Sequence, residues 1–227
     1  RKYGLRPRTT DGAKFVVCAQ NHDQVGNRMM GERLAALVSI DKVRLAAAVI
    51  VLSPFVPMLF MGEEYGELAP WQYFTSHNDA DLIEAVRRGR LEEFDDFDWE
   101  GDPPAPDDEA TFFRSKLNWS LLERAEHASL WRFYRELLHL RRDVPALRTL
   151  DLARVETHAD DERRTLIVRR DDILLGFNFS EKTQTLALPF DGAWNALIDT
   201  GGKIEEGAIT LPPLAFGVWS GAIAGPR

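Results

Sequence analysis

The chain has 227 residues, 44% of them hydrophobic, enough to bury a core; at ~150 residues per domain its length allows one or two. Its 28 Lys and Arg against 36 Asp and Glu give a net charge of -8, which argues against a nucleic acid or an anionic membrane as partner and leaves a neutral polyhydroxy ligand compatible. A single cysteine, Cys18, rules out an intramolecular disulfide and fits a reducing cytoplasm.

Arg1 to Thr10 show neither a capping pattern nor a signal peptide. The apolar run Phe15 to Ala19, set between Asp11-Gly12 and Gly26, predicts a strand buried on both faces of a parallel sheet or barrel, with Cys18 as a core residue. In such folds ligands meet the carboxyl ends of the strands. Gln20-Asn21-His22-Asp23-Gln24-Val25-Gly26-Asn27-Arg28 stands at that place. Asp23 can serve as nucleophile, base or acceptor of substrate hydroxyls, and His22 can donate to a sugar hydroxyl without carrying charge. The alternative is that Asn21 and Asp23 merely cap turns.

Ser39 or Asp41 starts a helix with its body at Val43 to Leu52, and Pro54 ends it. Phe55 to Met61 predicts a second buried strand, so strand, helix and strand form a βαβ unit that needs a parallel sheet. The longest apolar stretch, Leu45 to Phe60, is broken by Ser53-Pro54 and Pro57 and does not read as a membrane span. Gly62-Glu63-Glu64 closes the second strand. Adjacent residues leave a strand on opposite faces, so one of the two glutamates is structural, paired to an Arg or a backbone amide. Trp71, Phe74 and His77 are candidates for stacking on and orienting pyranose rings, against the alternative of an aromatic loop core, which is the reading for Tyr73 by itself.

Asn78 caps a predicted helix through Leu82, Ile83 and Val86 that ends at Gly89. Asp95 to Asp108, with Pro103, Pro104 and Pro106, reads as an extended solvated excursion, in which Asp95-Asp96-Phe97-Asp98 is a weak calcium candidate. Leu130, Phe133, Tyr134, Leu137 and Leu138 make one apolar helical stripe, with Arg141-Arg142 near its end and Pro145 beyond. After Leu150 the texture changes to short β-rich runs: Val155 to His158, Thr165 to Arg169, Ile173 to Phe179, Thr185 to Leu188, Trp194 to Ile198 and Phe216 to Trp219. Turn signals at Asp171-Asp172, Asp191-Gly192 and Gly201-Gly202 complete the pattern of a β-sandwich.

Asn21-His22-Asp23 after an apolar strand is similar to the fourth signature region of the α-amylase family of glycoside hydrolases. Gly31-Glu32-Arg33-Leu34, the string from Pro57 to Glu67, and Gln72-Tyr73-Phe74-Thr75-Ser76-His77 resemble its trehalose-releasing members. The resemblance runs from Phe15 to the C-terminus and is specific in the first hundred residues. It implies an α/β part followed by an all-β part: residues 1–148 as the C-terminal part of a (β/α)₈ TIM barrel, holding strands seven and eight and a loop excursion near 66–120, and 149–227 as an antiparallel β-sandwich domain.

By the same resemblance, the activity is retaining hydrolysis of the α-1,4-glucosidic bond next to the trehalose unit of maltooligosyl trehalose or a related α-glucan, with no cofactor and no catalytic metal. Asp23 corresponds to the transition-state stabiliser; His22, Asn21, Gln24, Asn27, Arg28, Glu64, Trp71, Phe74 and His77 correspond to substrate-binding positions. The nucleophile and the acid/base lie on earlier barrel strands. A (β/α)₈ barrel takes ~250 residues, so the chain reads as the second half of a larger protein, of low activity by itself. A glycogen branching enzyme, an oligo-α-glucosidase or a glycan-binding fragment are the other readings.

Overall fold

A computed structural model describes residues 11–95, 102–190, 192–198 and 200–221. In chain order the elements are β1 (Val16–Val17), α1 (His22–Gly26), α2 (Leu34–Leu37), α3 (Ile40–Leu52), β2 (Val56–Pro57), α4 (Ala80–Asp95), α5 (Glu109–Arg114), α6 (Ala125–Asp143), α7 (Pro145–Arg148), β3 (Val155–Asp160), β4 (Thr165–Arg170), β5 (Ile173–Asn178), β6 (Gln184–Ala187), β7 (Trp194–Ile198), β8 (Lys203–Glu205), β9 (Ala208–Leu211) and β10 (Phe216–Gly221). The described residues fall into two compact units, 11–17 with 44–58 and 134–221, and 18–43 with 59–133.

The first unit contains the βαβ pair. β1 and β2 run parallel, Val16 opposite Val56 and Val17 opposite Pro57, and the Met58 N–H adds a bond of 2.8 Å to the Val17 carbonyl. The expectation of strands buried on both faces is corrected here. Each has two residues, and Val16, Val56 and Met58 are 64%, 36% and 38% exposed. A two-stranded sheet leaves one edge of each strand unpaired, and burial on both faces needs further layers that a pair cannot supply.

α3 buries Leu45, Ala47, Ala48, Val51 and Leu52. Its last two carbonyls, Val51 and Leu52, which have no partner within the helix, are taken by two arginines. Arg141 donates to Val51, Ser53 and Phe55 at 2.6, 2.6 and 2.5 Å. Arg170, 1% exposed, donates to Leu52, Leu147 and Thr149 at 2.7, 3.2 and 2.5 Å. Burial, with the Arg141 charge as a lesser cause, pulls the Arg170 pKa down to about 10.

The all-β part has two antiparallel sheets, one of order β3-β4-β5-β10-β7 and one of order β6-β9-β8. Ile167, Leu174, Trp219, Leu186, Ile209 and Leu211 from the two sheets share one core, as in a sandwich. β5 is buried along its whole length. Its other face, with Leu175 and Phe177, borders an apolar hollow of about 330 Å³ shared with Leu52, Phe55 and Val168. Asn178, fully buried, ties the sheets together: its Nδ2 donates to the Lys182, Leu211 and Pro212 carbonyls, and its Oδ1 accepts from the Ser180 N–H and hydroxyl.

Strands β8 and β9 were not expected from the sequence. They form a hairpin whose turn residues Glu206 and Gly207 both have positive φ, 51° and 75°, the conformation that matches the twist of a tight hairpin.

In α6 the five-residue stripe is narrower than expected. Leu130, Tyr134 and Leu137 are buried, whereas Phe133 is half-buried and Leu138 is 38% exposed. At 3.6 residues per turn Leu138 lies about 80° round the helix from Leu130, at the edge of the buried face.

The second unit is held by buried polar groups. Arg33, 1% exposed, donates to the Met61 and Ala69 carbonyls, each at 2.7 Å, and lies 4.9 Å over the Phe60 ring. Burial pulls its pKa down against the opposing pull of Glu67. Glu67, also 1% exposed, accepts from the Tyr65 hydroxyl and the Leu68, Ala69 and Asn118 N–H groups, which supplies a buried carboxylate with the donors it needs.

α4 does not stop at Gly89 but continues to Asp95, and Asp79, not Asn78, caps it by accepting from the Asp81 and Leu82 N–H groups. Gly89 costs about 1 kcal/mol against Ala in a helix interior, which the Arg88–Glu92 and Arg90–Glu93 pairs along the same helix help to offset.

The proline-rich excursion is docked rather than solvated over its described part. Pro106 is buried and its carbonyl accepts from Thr75, and Asp107 takes both guanidinium arms of Arg87 at 2.5 Å. The calcium candidate Asp96 to Asp98 lies outside the described residues, as does the Asp95 side chain.

Candidate functional site

Four residues after β1 the chain enters α1, where the sequence suggested a loop. Asn21 is its cap: extended at φ -147° and ψ 179°, it accepts from the Gln24 N–H at 3.0 Å and reaches the Cys18 sulfur with its amide at 3.7 Å. Asn21 thus does the structural work the sequence left open. The cap places His22 and Asp23 in the first turn, with side chains 70% and 74% exposed and His22 Nε2 3.2 Å from Asp23 Oδ1. Val25 turns inward as the buried anchor of the same helix.

His22 and Asp23 open onto a cleft of about 470 Å³, lined also by Asn27, Trp71, Tyr73 and the α4 residues Val86, Gly89, Arg90 and Glu93. Trp71 is set by two edge-on ring contacts, 5.8 Å from Phe60 and 6.0 Å from Phe74, and by its N–H on the Gly31 carbonyl at 2.7 Å. Gly31 has φ 68°, and a Cβ there would run into the Trp71 backbone, so this position requires glycine.

The other expected positions lie elsewhere. Arg28 pairs with Glu32 at 3.2 Å, and neither it, Gln24 nor Glu64 is among the described residues that line the cleft. Glu63 and Glu64 start a 3₁₀ turn rather than leaving a strand; Glu63 is buried and accepts from the Phe60 N–H, and Glu64 is half-buried. Phe74 packs edge-on to Phe112 at 5.2 Å and, with His77, borders a separate hollow of about 420 Å³ beside Asp107 and Asp108.

Tyr73, Arg90 and Glu93 were missed. Tyr73 is 47% exposed in the cleft, not core. The signal for the rest was present: Val86, Gly89, Arg90 and Glu93 fall at i, i+3, i+4 and i+7, one face of a helix. Among the described residues no group of three or more His, Cys, Asp or Glu is placed to hold a metal, and no helix is long and apolar enough to cross a membrane.

A family described as a domain of unknown function (DUF3459) matches residues 150–218. Malto-oligosyltrehalose trehalohydrolase from Rhizobium sp. (strain M-11) is 41% identical over 91% of this chain and 35% of its own length. The enzyme of that name from Arthrobacter ramosus is 49% identical over 66% of this chain and 26% of its own length. The chain is related to the malto-oligosyltrehalose trehalohydrolases. It spans between about a quarter and about a third of the length of these curated relatives.

The crystal structure of a protein described as an alpha amylase from Salmonella typhimurium, 33% identical, superposes with a TM-score of 0.78 over 92% of this chain and 36% of that one. Trehalose-6-phosphate hydrolase from Bacillus licheniformis, 18% identical with a TM-score of 0.56 over 91% of this chain and 43% of that one, shares the fold. These superpositions show a shared mixed α/β architecture, with antiparallel sheets at the C-terminal end of the described residues.

Proposed function

We propose that the chain is the C-terminal portion of a cytoplasmic glycoside hydrolase of the α-amylase family, one that hydrolyses the α-1,4-glucosidic bond next to the trehalose unit of maltooligosyl trehalose. In this reading β1 and β2 are barrel strands seven and eight within residues 1–148, and 149–227 is the β-sandwich domain. The relatives' printed names support the substrate. The observation that carries the reading is the pair His22 and Asp23, exposed together in the first turn of α1 and facing an open cleft with Trp71.

The chemistry assigned to these residues follows from their type and exposure. Asp23 accepts hydrogen bonds from two ring hydroxyls of a glucosyl unit and steadies positive charge as an oxocarbenium-like state develops. His22 orients the carboxylate through its Nε2, 3.2 Å from Asp23 Oδ1, and offers its other ring nitrogen to a hydroxyl of the same ring. Asn27 and Trp71 border the ring from the remaining sides. A retaining cleavage further needs a nucleophile and an acid/base about 5 Å apart. By the family resemblance those two roles belong to earlier barrel strands, and we do not assign either of them to Glu93, the carboxylate that lines the cleft beside Asp23 among the described residues.

The test is product analysis with maltotriosyl trehalose. The full-length protein should release trehalose, and the 227-residue chain alone should release none. Glucose as the product, or a branched glucan from amylose, would move the assignment to an oligo-α-glucosidase or a branching enzyme. Trehalose from the chain alone would refute the missing-carboxylate argument.

A further inference from the structure

The aromatic ring that the sequence assigned to the loop core stands in the cleft, and its surroundings explain why. Tyr73 is 47% exposed, and the Arg90 guanidinium lies 5.3 Å from its ring centroid, covering one face. Arg90 is itself fixed: its side chain is 10% exposed, it donates to the Gly26 carbonyl of α1, and it pairs with Glu93 at 2.7 Å. The ring is therefore held before any ligand arrives, which lowers the entropy cost of stacking on it. Glu93, 49% exposed, places a carboxylate acceptor beside it. Gly89 leaves the helix backbone open to the cleft, with nothing within 4 Å of where its Cβ would stand.

We infer that Tyr73, braced by Arg90, is a stacking platform for a sugar ring of an α-linked gluco-oligosaccharide, with Glu93 accepting from that ring's hydroxyls and the Gly89 face of α4 giving it room. This rests on the reading of the His22–Asp23 cleft as a glucan site, and it adds a subsite wall supplied by α4. A tyrosine ring offers an apolar face to the C–H surface of a pyranose and a polar tip to its hydroxyls. The cleft's size lies within the range of about 300–1,000 Å³ for small-molecule sites.

Two variants test it in the full-length protein, read by titration calorimetry with maltopentaose and by trehalose release from maltotriosyl trehalose. Tyr73→Ala removes the platform at an exposed position; Gly89→Phe fills the space while improving helix propensity, so misfolding does not explain its effect. Each is expected to raise Kd and KM about 5- to 10-fold with kcat little changed, and Tyr73→Trp is expected to bind as the wild type does. Both variants binding maltopentaose within twofold of wild type would overturn the proposal, as would a wild-type protein that does not bind it. Tyr73-dependent binding without trehalose release would remove the trehalose-releasing reading and keep the platform. Trehalose release at unchanged KM in both variants would do the reverse.

Discussion

Arg141 and Arg170 divide the last two carbonyls of α3 between them, Arg141 taking Val51 and Arg170 taking Leu52, each continuing to carbonyls beyond the helix. Cations at a helix C-terminus are favoured by its dipole, but here the bonds matter more, because Arg170 is buried and its loss strands three carbonyls. Arg170→Met is expected to lower unfolding free energy by about 3 kcal/mol and Arg141→Met by about 1–3 kcal/mol in urea titrations. Because they share one helix end, the double variant should lose less than the sum. An Arg170→Met midpoint equal to that of wild type would refute the role given to it.

Asn178 makes five hydrogen bonds from a fully buried side chain, two of them to the Leu211 and Pro212 carbonyls at the end of β9 in the other sheet. Asn178→Ala is expected to cost about 2–3 kcal/mol, since it leaves buried carbonyls without donors. Thermal denaturation of the variant checks it, and a melting temperature unchanged within error contradicts the account.

Tyr65 keeps its proton far into the alkaline range: burial is the first cause, and its hydrogen bond to Glu67 and that carboxylate's charge add to it. With the folded pKa above the unfolded value of about 10, the folded state binds the extra proton above that pH, so this contribution to stability is complete below about pH 10 and lost as pH rises beyond it. Of the 4 tyrosines, Tyr65 should be missing from the phenolate absorbance of the folded protein at pH 11 and appear on unfolding. Tyr65→Phe should leave the folded-state absorbance unchanged; a folded-state loss of one phenolate would contradict this.

Gly31→Ala should disturb the cleft without touching it, since the added methyl would meet the Trp71 backbone at a φ that disfavours alanine. The expected result is weaker maltopentaose binding together with a loss of about 1–3 kcal/mol in stability. Retention of both would contradict the close approach.

Legibility in the sequence followed how local each feature is. The β-rich runs Thr165 to Arg169 and Ile173 to Phe179 announced β4 and β5, because a strand's composition lies within itself. β8, at three residues, carries too little pattern, and Glu206-Gly207 was the turn signal that went unused. Burial of β1 and β2 was misjudged because an apolar run records a preference, while burial is decided by neighbouring layers. Gly89 was read as a stop, but Arg90, Leu91, Glu92 and Glu93 are strong helix formers that carry the helix on.

The same distinction applies to the cleft. His22, Asp23, Asn27 and Trp71 were legible as polar and aromatic types following a strand, and they meet in one place. Phe74 and His77 follow closely after Trp71 in the chain but turn to Phe112 and Asp107, which no local pattern records. Arg90 reaches Gly26 across 64 positions, a distance over which spacing rules say nothing.

Asp23→Asn in the full-length protein, assayed for trehalose release from maltotriosyl trehalose, tests the central assignment most directly. Asp23 is exposed, so folding should be unchanged and maltopentaose affinity should fall only modestly, while kcat drops at least ~10²-fold as the stabilised charge is lost. Turnover within tenfold of wild type in the folded variant would contradict the role given to Asp23.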